Sequence, residues 1–214
     1  MIKKSVAVLP LLACLGFSHS AQAEELAYSF LEATAVLTSD YEVDQPNVDD
    51  EPDGFGVAFA FLMGPIAYSE WRYTQYDVGS GADGVTASVR FGAHQRLNSY
   101  GHGKLDLYGG VGAQIAEFES PNGNNDAFID DTGVLGYIGL RHAFNQHFEI
   151  GGELGINNVE EAGRHMEIHA QWNATHAVSF RATLKNENYE VSDAPDVELT
   201  ALTLGARVTF GQGG

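Results

Sequence analysis

From Leu202 to Phe210 the chain alternates without a break: Leu202, Leu204, Ala206, Val208 and Phe210 share one face, and Thr203, Gly205, Arg207 and Thr209 share the other. A period of two belongs to an extended strand, so this segment must stand with one face in an apolar medium and the other among polar groups. The rest of the chain repeats the rule. Ten alternating segments can be read, at residues 26–38, 55–63, 66–76, 85–97, 103–116, 133–144, 147–157, 164–174, 177–188 and 198–210, with no long stretch of helical period between them. Short connections at Met63-Gly64-Pro65, Leu97 to His102, Asn145-Gln146 and Asn173 to His176 alternate with longer, acidic ones. This is the connectivity of an all-β, antiparallel, up-and-down barrel. Ten strands are expected; eight follow if Ile66 to Tyr76, the segment with the least clean alternation, is loop.

The two faces differ in chemistry as well as polarity. One carries Val57, Phe59, Phe61, Val89, Phe91, Val111, Ile138, Leu154, Met166, Ile168 and Leu184. The other carries Glu32, Glu70, Arg72, Arg90, Arg141, Glu153, Glu167, Arg181, Lys185 and Arg207, together with Arg96, Lys104, Asp106, Glu149 and Glu187. A soluble barrel would have to bury one of these faces and expose the other to water, whereas a transmembrane barrel turns the apolar face to lipid and closes the charges inside. A lone charge in a narrow, partly dehydrated lumen costs several kcal/mol, so the acids and bases must pair. Arg72, Arg90, Arg141, Arg181 and Arg207 are therefore expected to meet Glu32, Glu70, Glu153 or Glu167 across neighbouring strands. Such a network fills and stiffens the barrel; the alternative is a charged path for small solutes. Near the short turns the apolar face carries Phe144, Phe148, Trp172, Phe180 and Phe210, the composition of an aromatic girdle at a membrane interface.

The start of the chain gives an independent reason to look outside the cytoplasm. Lys3 and Lys4 precede an apolar run from Val6 to Phe17, and Ala21-Gln22-Ala23 follows, the layout of a secretory signal at residues 1–23 ahead of a barrel at 24–214. A competing reading takes Leu11-Leu12-Ala13-Cys14 as a lipoprotein box with Cys14 lipidated. The chain holds 11 Lys+Arg against 29 Asp+Glu, and the signal takes two lysines and no acid, so the mature charge is about -20. Binding to nucleic acid through phosphate contacts is excluded by that sign.

The acids outside the lumen face gather between the segments. Asp40, Glu42, Asp44, Asp49, Asp50, Glu51 and Asp53 fall in the first long connection, and Asp126, Asp130 and Asp131 in the third, with Arg164 the one base beside them. Oxygen-rich loops suit Ca²⁺ or Mg²⁺, with Asp44, Asp49, Asp50 and Asp53 as candidate ligands, although the spacing matches no EF-hand; a solvated acidic rim is the plainer reading, and no cofactor is otherwise expected. His165, Glu167 and His169 share one face of the eighth segment, but residues four apart in a strand lie ~13 Å apart, too far for one ion to join both rings. Hydrogen bonding in the lumen is their expected role, and no catalytic residue is assigned. Neither a G-x-S-x-G elbow nor an H-E-x-x-H pair occurs.

Gly205 stands five residues before the last aromatic, with apolar residues at alternate positions up to Phe210, and this ending resembles the C-terminal signal by which outer-membrane β-barrels are recognised for insertion. It departs from that pattern in continuing through Gly211, Gln212, Gly213 and Gly214. With the secretory signal and the ten segments, the chain looks like the small bacterial outer-membrane β-barrel proteins of the OmpA and OmpX type. Ala27 to Glu32, Asp53 to Val57 and Phe144 to Glu149 faintly resemble a subgroup associated with quorum sensing and outer-membrane vesicles. The resemblance implies an integral barrel of the Gram-negative outer membrane with both termini periplasmic, in contact with membrane lipid and lipopolysaccharide and inserted by the barrel-assembly machinery. A structural or surface-interaction role and a narrow, cation-preferring pore both stay open, and a barrel enzyme acting on lipids or peptides is a third class.

Overall fold

All ten segments are strands: β1 (Phe30–Val43), β2 (Asp53–Leu62), β3 (Ala67–Val78), β4 (Ala82–Leu97), β5 (Lys104–Glu119), β6 (Ala127–Ala143), β7 (Phe148–Asn157), β8 (Ala162–Asn173), β9 (Val178–Glu190) and β10 (Val197–Thr209). The computed structural model describes residues 27–43, 53–78, 82–97, 103–119, 127–191 and 196–210. The signal, Cys14, Asp44, Asp49, Asp50, Asp126 and Gly211 to Gly214 lie outside them. Each strand pairs antiparallel with its sequence neighbours, and β10 pairs with β1 to close the barrel. The eight-stranded alternative is thereby overturned, because Ile66 to Tyr76 supplies β3, which is paired on both edges.

A row of register partners leaving β1 at Leu31 passes Phe59, Trp71, Val89, Ala113 and Val134 on β2 to β6. Followed round the remaining strands it returns to β1 about a dozen residues further along, the stagger that tilts the strands by roughly 40°. The connections 63–66, 144–147 and 174–177 lie at one end, here the turn end, where the chain also enters β1 and leaves β10. The Asn145 side chain accepts from the backbone of His147 and Phe148, and the Thr175 hydroxyl accepts from Ala177 and Val178, so the second and third of these turns are each pinned by their own polar residue.

At the opposite, loop end the strands run further than the alternation predicts. β1 continues to Val43, β5 to Glu119 and β9 to Glu190, while β6 begins at Ala127, leaving connections of only 44–52, 79–81, 120–126, 158–161 and 191–196. Asp40 and Glu42, Asp53, and Asp130 and Asp131, all expected in loops, belong to β1, β2 and β6. The cause is a change in what the faces hold, visible in the barrel interior.

Candidate functional site

The interior is where charge concentrates. Glu32, Glu70, Arg90, Arg141, Glu153, Glu167, Arg181 and Arg207 all point inward and are buried. Glu32 and Arg207 are register partners on β1 and β10, and the Arg207 Nε donates to Glu32 Oε2 at 2.6 Å. Arg141 grips Glu149 with two bonds, at 2.6 and 3.0 Å. Lys185 meets Glu187 at 2.9 Å on its own strand. Arg181 donates to Glu167 on the neighbouring strand.

Other pairs do not stay between neighbours, contrary to the expectation from sequence. Arg72 on β3 holds Glu70 at 3.0 Å but also reaches Glu167 on β8 at 2.8 Å, half the barrel away. Arg90 on β4 meets Glu153 on β7 at 2.6 Å. These side chains cross the lumen because glutamates on adjacent strands face one another: Glu153 and Glu167 are register partners, and two like charges directly opposed repel unless bases reach both. His165 joins Glu153 at 2.9 Å, and His169 accepts from Arg181 at its Nδ1, 2.8 Å away. Since a guanidinium can only donate, the His169 ring proton sits on Nε2, facing Glu149 at 3.6 Å. His165, Glu167 and His169 are thus members of the lumen network.

Sequence reasoning missed how the lumen makes room for these rings. His165 lies against Gly155 and His169 against Gly151, each glycine being the register partner of its histidine. Tyr68 and Tyr108 lie in the same way against their partners Gly92 and Gly139, where an added Cβ would come within 2.7 Å of the Tyr68 ring at Gly92 and would collide with Tyr108 at Gly139. A large inward residue opposite an inward glycine was a readable signal once the register is known.

Also missed were two buried clusters, one beyond the charges at the loop end and one of tyrosines set among them. At the loop end Val36, Tyr76, Phe118, Ile129, Val159, Tyr189, Val197 and Leu199 form one buried cluster inside the barrel. Val159 comes from the β7–β8 connection, which folds inward: Asn157 accepts from Val159 N at 3.0 Å, Asp131 accepts from Glu160 N at 2.6 Å, and Glu160 takes a φ of 57°. Gly133 lies directly beneath, where an added Cβ would meet the Asn158 backbone at 2.6 Å. Tyr28, Tyr68, Tyr108, Leu135 and Tyr137 form a second cluster, which runs from the turn end up among the arginines, with Arg141 over Tyr28 and Arg90 over Tyr137. Among the described residues the interior holds two small spaces, of about 80 Å³ and about 30 Å³, with Glu70, Arg72, Arg181 and Arg207 in the walls of both. Both are polar and wide enough to admit water but no larger solute.

On the outside, Phe144, Phe148, Trp172 and Phe180 are about half exposed at the turn end, Trp172 stacks on Phe180 at 5.9 Å and Phe210 on Phe59 at 5.8 Å. Gly205 points inward opposite Thr34. Among the candidate metal ligands only Asp53 is described; it stands exposed on β2 opposite Asp77, and no group of three metal-binding side chains occurs among the described residues.

No protein-family model matches the chain, and no curated protein matches it. Solved structures do. Neisserial surface protein A is similar over 87% of this chain and 100% of its own, at 14% identity and a TM-score of 0.46. The outer-membrane protease OmpT from Escherichia coli is similar over 88% and 100%, at 11% and 0.46. The attachment invasion locus protein Ail of Yersinia pestis, solved with the heparin analogue sucrose octasulfate, is similar over 84% and 96%, at 17% and 0.35. At these scores no functional weight attaches to the likeness.

Proposed function

We propose that this chain is an integral β-barrel of a bacterial outer membrane, non-enzymatic, with a closed lumen and a structural or surface-interaction role. The observation that carries the reading is the outer belt. Every strand turns large apolar side chains outward, among them Leu31, Phe59, Trp71, Phe91, Val111, Ile138, Leu154, Ile168, Leu184 and Leu204, at 39 to 59% exposure for nine of them and 62% for Val111. In water such a belt would far exceed the apolar patch a monomer tolerates. In a bilayer it matches a hydrocarbon band spanned by about nine to eleven residues per tilted strand, and a closed barrel leaves no backbone group unpaired there.

The filled interior favours a barrel without conduction over a cation-preferring pore, because an apolar cluster stands at the loop end and arginines and tyrosines bridge the lumen below it. The same closure gives a substrate no route to His165, Glu167 or His169, which supports a non-enzymatic role. Residues 1–23 serve as the export signal. Phe144, Phe148, Trp172 and Phe210 anchor the turn end at the periplasmic interface, both termini are periplasmic, and the acidic loop end faces lipopolysaccharide and its bridging cations. Gly205 and Phe210 belong to the signal read by the assembly machinery.

The test is fractionation with gel migration, followed by planar-bilayer recording. The protein belongs in the outer-membrane fraction, migrating differently unheated and heated, and gives no stable conductance steps. Recovery in the soluble periplasmic fraction would remove the membrane reading, and large steps would make it a pore. Phe210→Ala lowers the amount inserted, whereas deletion of Gly211 to Gly214 has little effect; equal insertion of Phe210→Ala and wild type would dismiss the C-terminal signal.

A further inference from the structure

The two ends of the lumen are shut in different ways. The loop-end cluster belongs to the strands and the β7–β8 connection, and its members have at most 5% exposure. The turn end is shut by three residues ahead of the first strand. Ala27, before β1, accepts a hydrogen bond from Arg141 Nη1 at 3.0 Å, and Arg141 lies on β6, five places from β1 in either direction. The chain therefore enters the mouth, where the Arg141 side chain reaches it from the opposite wall, before it turns into the barrel. Tyr28 follows it inward: its ring stacks on His94 of β4 at 4.0 Å, tilts against Tyr68 of β3 at 5.0 Å, and lies under the Arg141 guanidinium at 4.8 Å, leaving it 4% exposed. Ser29 ends the segment, its hydroxyl accepting from Leu62 N and its carbonyl from Phe210 N.

We propose that Ala27 to Ser29 is a strap that shuts the turn-end mouth from within, with Arg141 as its catch, and that this mouth is the one that opens. The inference rests on the closed-barrel reading. Glu149 holds Arg141 from behind with two bonds, which leaves Nη1 aimed across the lumen at the strap. The His94 ring stands 3.4 Å from Asp106 and gives Tyr28 a flat surface to lie on. The Tyr28 hydroxyl is buried, and its ring makes the contacts with His94, Tyr68 and Arg141 that do the closing. Behind it lies the smaller chamber, walled by Tyr28, Phe30, Ala60, Tyr68 and Arg141 before the arginines that divide it from the larger one. A terminal segment held by a few contacts opens at far lower cost than a strand-borne cluster. What passes the strap reaches this vestibule and stops at the ion-pair layer.

Cysteine accessibility decides the matter. In full-length Cys14→Ser protein, Ala60→Cys places one thiol in the vestibule, and His147→Cys, on an exposed turn, gives a reference. Both are treated with a charged methanethiosulfonate in micelles and in liposomes. With the strap intact the Ala60→Cys thiol reacts slowly; adding Tyr28→Ala speeds it by about tenfold or more, Tyr28→Phe leaves it slow, and the His147→Cys rate stays constant. Arg141→Lys, which keeps a cation for Glu149 but shortens the reach to Ala27, speeds it as well and stands in should Tyr28→Ala fail to fold. Equal rates with and without Tyr28 or Arg141, fast or slow, would overturn the strap, provided heat-modifiable migration shows the barrel intact. Loss of that migration in the strap-intact protein would instead count against the barrel reading itself.

Discussion

In the turn half of the barrel the outward residues of β9 and β10 are Phe180, Ala182, Leu184, Leu202, Leu204 and Ala206, and the inward ones include Arg181, Lys185 and Arg207. In the loop half of the same two strands the outward residues are Asn186, Asn188, Glu190, Glu198 and Thr200, and the inward ones are Tyr189, Val197 and Leu199. β5 and β6 invert in the same way, from Ile115 and Val134 outside to Glu117, Asp130 and Thr132 outside with Phe118 and Ile129 within. One sheet is thus built to two rules: apolar out and charged in below, polar out and apolar in above. On the membrane reading proposed above, the upper half follows the rule of a soluble barrel because it stands beyond the lipid. β6 has 17 residues, about 56 Å of strand and roughly 43 Å of height at the tilt given above, against an apolar band ~25 Å tall.

The sharpest test of the difference is to break the interior of the lower half. Arg207 is 2% exposed, and Arg207→Ala strands Glu32 in a closed space; the expected loss is about 3 to 5 kcal/mol, less where lumen water screens the carboxylate. Arg207→Met with Glu32→Leu removes both charges and recovers most of that loss. Urea unfolding of the lipid-reconstituted barrel measures both. A single substitution no worse than the double one would mean that the interior is wet rather than paired.

The outer surface of the lower half comes next. Leu154 lies mid-strand on β7, 59% exposed, so Leu154→Arg places a charge in hydrocarbon at a cost of about 2 to 4 kcal/mol near the midplane, read as lost insertion. Arg164, outward and exposed on β8 towards the loop end, already carries that charge without penalty if the upper half is above the lipid. Normal insertion of Leu154→Arg would erase the boundary between the halves.

The interior of the upper half is the milder counterpart. Ile129, buried with no exposure, loses one methylene in Ile129→Val, which costs about 0.5 to 1.5 kcal/mol and affects neither insertion nor migration.

How much of this was legible follows from where the rule inverts. Strand number, closure, the charged inward face and the apolar outward face were readable because alternation persists unbroken through the lower half, as from Leu202 to Phe210. At the boundary the apolar set slips by one position: Leu199 and Ala201 face in while Leu202 and Leu204 face out, and Ile115 faces out while Ala116 and Phe118 face in. A slipped alternation looks like the end of a strand, so β5 and β6 were read several residues short and their acids were assigned to loops. Which arginine meets which glutamate was not legible, since Arg72 reaches β8 and Arg90 reaches β7 only because the barrel brings distant strands face to face. The strap was hidden for the same reason: nothing in Ala27-Tyr28-Ser29 announces a partner on β6.

The smallest effect is expected on the outer surface of the upper half, and it tests the boundary most closely. Leu184 and Asn186 are two residues apart on one face of β9, the first 47% exposed in the apolar belt and the second donating to Glu198 at 2.7 Å and Thr200 at 2.8 Å. If lipid ends between them, Asn186→Leu exchanges exposed hydrogen bonds for exposed apolar surface in water and changes stability by less than about 0.5 kcal/mol, with insertion unchanged. Leu184→Asn, by contrast, puts an amide into the belt and lowers the inserted fraction. Should Asn186→Leu increase insertion, the hydrocarbon would extend above residue 186, and the upper half would be shorter than the inversion of the faces implies.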